Sequence, residues 1–72
     1  MRYFFNIIEG PDEIADPEGT DFPSEQAAQR EASAVVADLR REFPGRFGRT
    51  SVLEVFSEDR RRIIALPILP GS

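Results

Sequence analysis

The chain has no cysteine, no histidine and no tryptophan, and although it carries nine basic residues, none is lysine. Without cysteine no disulfide can staple the fold, and without cysteine and histidine together the usual zinc sites are closed to it. Missing Cys, His and Lys also removes the commonest nucleophiles and the bases that work near neutral pH. What remains for chemistry is carboxylates, hydroxyls, Tyr3 and arginine. No nucleophile–base pattern surrounds Ser24, Ser33, Ser51 or Ser57, so no catalytic, cofactor-binding or metal-binding residue is assigned and an enzyme is not expected. No apolar run approaches the roughly 20 residues of a membrane-spanning helix. Strand-like sequence from Arg2 onward argues against a secretory signal. The expected location is cytoplasmic.

Seventy-two residues, 40% of them hydrophobic, suffice for one small domain spanning 1–72, with 69–72 expected as a frayed tail. A chain of this size with no staple depends on good packing or self-association. The net charge of −4 is unevenly spread: residues 1–36 hold two arginines against eight acids, −6, and residues 37–72 hold seven arginines against five acids, +2. Opposite halves can attract within one fold or between copies.

The longest element predicted is a helix from about residue 25 to 43. At 100° per residue, Ala28, Ala32, Val35, Val36, Leu39 and Phe43 fall in one apolar band, the signature of a helix packed on one side. Ser24 suits the N-cap, Glu25 in the first turn and Arg40 and Arg41 in the last favour the dipole, and Pro44-Gly45 stops the helix. The stripe begins with two alanines, so this end can approach its support closely.

Aromatic and β-branched residues mark Arg2–Ile8 as a strand, apolar on both faces and therefore central. Glu13–Ala15 reads as a short second strand. Asp16-Pro17-Glu18-Gly19 matches a type I turn, with Asp first, Pro second and Gly fourth. Phe22 is expected to fold onto the core beneath the first helical turn. Thr50–Ser57 and Arg61–Ile68 form a hairpin through Glu58-Asp59-Arg60, with Pro67 marking an edge or an end. The fold class is α+β, ββαββ: a small antiparallel or mixed sheet with the single helix across one face.

Arg2-Tyr3-Phe4-Phe5, Asp16-Pro17-Glu18-Gly19, the Pro23-Ser24 helix start and Leu66-Pro67-Ile68 carry a resemblance across most of the chain. It resembles an uncharacterised family of short alphaproteobacterial proteins opening R-Y-[FY]-F-[DN], continuing through a D-x-E-G turn, a P-D-x-x-x-A helix start and a V-x-D-x-x-G hairpin. This sequence departs with Asn6, with Ser24 as the cap, and with no glycine in Glu58-Asp59-Arg60-Arg61. The resemblance implies an autonomous domain and adds nothing to function. In fold alone the arrangement is similar to HicB-type antitoxin domains.

Function is sought on the side the helix leaves bare. If the helix covers Tyr3, Phe5, Ile7, Leu53, Val55, Ile64, Leu66 and Ile68, alternation puts Phe4, Ile8, Val52, Phe56 and Ile63 on the opposite face. Contiguous exposed apolar side chains on a small protein usually mark an interaction surface. The expected partner is a second copy, as a homodimer, or another protein. The alternative is a nucleic-acid-binding or antitoxin-like module whose phosphate contacts are Arg46, Arg49, Arg60, Arg61 and Arg62. The acidic stretch 9–25 lacks calcium-loop spacing and is read as a solvated loop.

Overall fold

A computed structural model describes residues 1–69. In chain order the elements are β1 (Arg2–Glu9), β2 (Asp12–Ile14), β3 (Thr20–Asp21), α1 (Glu25–Glu42), β4 (Ser51–Ser57) and β5 (Arg62–Pro67). The fold is α+β, with one helix and one antiparallel five-stranded sheet. β1 and β4 are central, β5 forms one edge, and β2 and β3 share the other by pairing with different halves of β1. β3 is an addition to the predicted strands: Thr20 and Asp21 are extended and pair with Tyr3 and Arg2.

β4 records the sheet's sidedness. Ser51, Leu53, Val55 and Ser57 are buried, while Val52, Glu54 and Phe56 between them are half-buried. Their cross-strand partners on β1 place Phe5 and Ile7 beside Val55 and Leu53, on the covered face. The buried cluster is Tyr3, Ala28, Ala32, Val36, Phe47, Leu53, Val55 and Ile68.

The helix forms as its sequence dictates. Ser24 Oγ accepts a 3.1 Å hydrogen bond from the Ala27 amide, satisfying an N–H that the helix itself cannot pair. Ala28, Ala32 and Val36, four residues apart, make the buried seam, and both alanines are fully buried. α1 lies across β4 and β5. Over β1 the cover is Phe22, whose ring lies 6.1 Å from that of Tyr3 and 5.9 Å from that of Phe5. Phe47, from the loop after α1, closes the cluster.

Three expectations are corrected. Phe43 does not belong to the buried stripe: the backbone leaves helical geometry there (φ −128°, ψ 61°) and the side chain is 53% exposed. Ile63 does not lie on the bare face. Val55 pairs with Ile64 but Phe56 pairs with Arg62, a β-bulge that leaves Ile63 unpaired and packed against the buried cluster. Leu69, expected to begin a frayed tail, packs against the same cluster, and the remainder of that tail, 70–72, lies outside the described residues.

The close seam gives a direct test. Ala32→Leu inserts a branched side chain where none fits, and should destabilise the fold by about 1–3 kcal/mol in chemical denaturation. A neutral outcome would mean that the helix does not approach β4 and β5 this closely.

Candidate interaction site

The bare face is built by register. Phe4 pairs with Phe56, Asn6 with Glu54, and Ile8 with Val52, and on β5 Arg62, Ala65 and Pro67 continue these rows. Four of the five predicted face residues, Phe4, Ile8, Val52 and Phe56, therefore share this side; Ile63 is the exception. They do not form one unbroken apolar sheet. Asn6 and Glu54 separate the Phe4–Phe56 pair from the Ile8–Val52 pair, and both are tied in place. Asn6 Oδ1 accepts the Asp16 amide at 2.9 Å, and its Nδ2 donates to Glu13 at 3.4 Å. Glu54 accepts from Arg62 at 2.9 Å.

At the phenylalanine end the face becomes a groove of about 520 Å³. Phe4 and Phe56 form its floor; Ala15, Asp16 and Pro17 line one wall, and Glu58 and Arg60 the other. The first wall is held by Asp16. Its Oδ2 accepts the Phe5 amide at 3.3 Å, in the stretch of β1 that neither β2 nor β3 reaches. Its Oδ1 accepts the amides of Glu18 and Gly19 at 3.3 and 3.1 Å, so the predicted Asp-Pro-Glu-Gly turn is closed by its own aspartate side chain. Gly19 has φ +73°, and a Cβ there would sit 2.9 Å from Phe4 Cε1 and from the Tyr3 carbonyl oxygen. Only glycine allows the loop to lie this near the floor.

The second wall is the β4–β5 hairpin. Ser57 hydrogen-bonds the Asp59 carboxylate and holds its pKa below the usual value. Glu58 turns back to accept the Arg2 amide at 2.5 Å, finishing the ladder of β1 on that side. Arg60 sits at φ +65°, a left-handed conformation that a glycine would occupy at lower steric cost.

The five arginines proposed for phosphate contact are split between two ends of the sheet. Arg46 and Arg49 lie before β4 and Arg60, Arg61 and Arg62 after it, with seven residues of strand, roughly 20 Å, between. Arg46 pairs with Glu9 at 2.6 Å and stacks on Phe47, Arg61 pairs with Glu25 at 3.5 Å, and Arg62 is held by Glu54. The acids of segment 9–25 are similarly dispersed: Glu9, Asp21 and Glu25 pair with arginines, and Asp16 and Glu13 hold the loop. Among the described residues no helix is long and apolar enough to cross a membrane.

A scan against protein families matches residues 2–69 to the Domain of unknown function (DUF6894). The chain belongs to this family. Neither curated proteins nor solved structures gave a match. For this DUF6894 member, sequence reasoning found the groove floor and missed its walls. Glu13, Ala15, Pro17, Glu58 and Arg60 are lining residues only because the loop and hairpin flank the same end of the sheet.

Two substitutions test the walls. Asp16→Asn preserves shape but presents an amide donor to backbone N–H groups, and should cost about 1–2 kcal/mol of stability with loss of amide-exchange protection at Phe5. Arg60→Gly should stabilise the fold by about 0.5–1 kcal/mol, seen as a higher Tm, by relieving the left-handed arginine. A lower Tm would mean that Arg60 makes contacts outweighing that strain.

Proposed function

We propose that this DUF6894 chain is a cytoplasmic, non-enzymatic protein-interaction domain that self-associates through the sheet face its helix leaves uncovered. One observation carries this: Phe4 and Phe56, paired across the two central strands, form the apolar floor of an open groove on that face. Aromatic residues set in a concave, polar-rimmed site are the side chains that most often anchor protein contacts.

The sheet edges favour the face by default. β5 carries a bulge at Ile63 and ends in Pro67, and β2 is three residues long. Bulges, proline and short strands are the devices that discourage edge-to-edge pairing. Three of the five arginines, Arg46, Arg61 and Arg62, are paired to carboxylates, which draws the reading away from nucleic acid, since a guanidinium so paired is a weaker phosphate ligand.

Sedimentation velocity on the wild type and on Phe56→Arg tests this. The wild type should associate as concentration rises, and Phe56→Arg, which puts a charge on the groove floor while leaving the buried cluster intact, should stay monomeric. A wild type that remains monomeric at high micromolar concentration would remove self-association.

A further inference from the structure

Self-association through the groove leaves open what the second copy inserts into it. Flat stacking of two bare faces is disfavoured by the Asn6–Glu54 row, which would carry the Glu54–Arg62 pair into a dry interface. Resting on the self-association proposed above, we infer that the occupant of the Phe4–Phe56 groove is Phe43 of a second copy, presented at the C-terminal end of α1.

Among the described residues Phe43 is the one aromatic that is mostly exposed. It stands at the helix C-cap, fixed by its amide's 3.0 Å bond to the Leu39 carbonyl. Arg40 and Arg41 precede it in the last turn and both are exposed; Arg41 is paired to Asp38 and Glu42 adjoins Phe43, so Arg40 is the cation this end has to offer. The groove supplies the complement: an aromatic floor, with the carboxylates of Glu13 and Glu58 at its rim against the single cation Arg60. An aromatic knob with the Arg40 cation beside it therefore meets an aromatic groove with an acidic rim. The volume of about 520 Å³ leaves room for a benzyl group and the proline that follows it.

The placement of knob and groove fixes the symmetry. The N-terminal end of α1 is tied to the hairpin by Arg61 and Glu25, so the groove lies at the helix's start and Phe43 at its finish, about 27 Å away. Knob and groove also occupy opposite layers, one on the helix side and one on the bare sheet face. A two-fold axis exchanging them would have to run through the interior of the protein. The contact is thus heterologous, head to tail, and builds rings or open chains of copies.

The test combines Phe43→Ser and Phe56→Arg in sedimentation velocity, each checked for folding by circular dichroism. Phe43→Ser alters an exposed residue; Phe56→Ser serves as the groove variant if the arginine disturbs the sheet. The wild type should form species larger than a dimer, and each variant alone should associate at least about tenfold more weakly. Mixing them should restore a single junction, because Phe43→Ser keeps an intact groove and Phe56→Arg an intact knob, giving a 1:1 heterodimer. Arg40→Gln, which removes the cation without reversing it, should weaken association and reduce its salt dependence. If Phe56→Arg dissociates the protein while Phe43→Ser associates like the wild type, the knob is wrong and the uncovered face still stands. If both variants are monomeric but do not pair when mixed, the head-to-tail geometry is overturned. A monomeric wild type overturns both proposals.

Discussion

The carboxylate of Asp16 resolves the main difficulty of this fold. β1 is a central strand, so its backbone needs partners on both sides, yet β2 reaches only Ile7–Glu9 and β3 only Arg2–Tyr3. An unpaired backbone N–H in this half-buried stretch would be costly. Asp16 supplies the missing acceptor to Phe5, and the same carboxylate closes the turn that redirects the chain from β2 to β3. Because the loop is drawn onto β1, it forms a groove wall. Because it delivers the chain to β3, Phe22 arrives over Tyr3 and Phe5.

The cover of the sheet is consequently divided. α1 shields β4 and β5 through an alanine seam, and Phe22 shields β1. This division suits a chain with no disulfide and few large buried side chains, since fully buried Ala28 and Ala32 place helix backbone close to the strands. It also exhausts the covering material. No second helix exists among the described residues to close the other face, and only the Asp16 loop and the β4–β5 hairpin flank it.

The elements governed by local periodicity were legible in the sequence. The α1 stripe, the alternation of β4, the Ser24 cap and the Asp-Pro-Glu-Gly turn each follow from residues a few positions apart. What was not legible depends on pairing between distant segments. A bulge at Ile63 is a one-residue mismatch between two strands, invisible to an alternation count on either one, and it replaces Ile63 with Arg62 on the bare face. Phe43 continues the apolar period, but Pro44 ends the helix at that residue and the period no longer predicts direction. The floor of the site could be read because Phe4 and Phe56 obey strand alternation. Its walls could not, because Pro17 and Arg60 meet only through the pairing of β1 with β4.

The polar row of Asn6 and Glu54 has a consequence for the kind of surface this is. A wholly apolar face would be adhesive in any register and orientation, and so a liability for a small protein. Here Asn6 is committed to the Asp16 loop and Glu54 to Arg62, so neither has a bond to gain from a partner laid over it, and each would lose water. Favourable contact is therefore confined to the end where Phe4 and Phe56 meet. There the groove is flanked by the Asp16 loop and the hairpin, whose carboxylates outnumber the cation Arg60. On the proposed reading, the groups that hold β1 in place would also set the specificity of the groove, so recognition there would be inseparable from the constraint that shapes the fold.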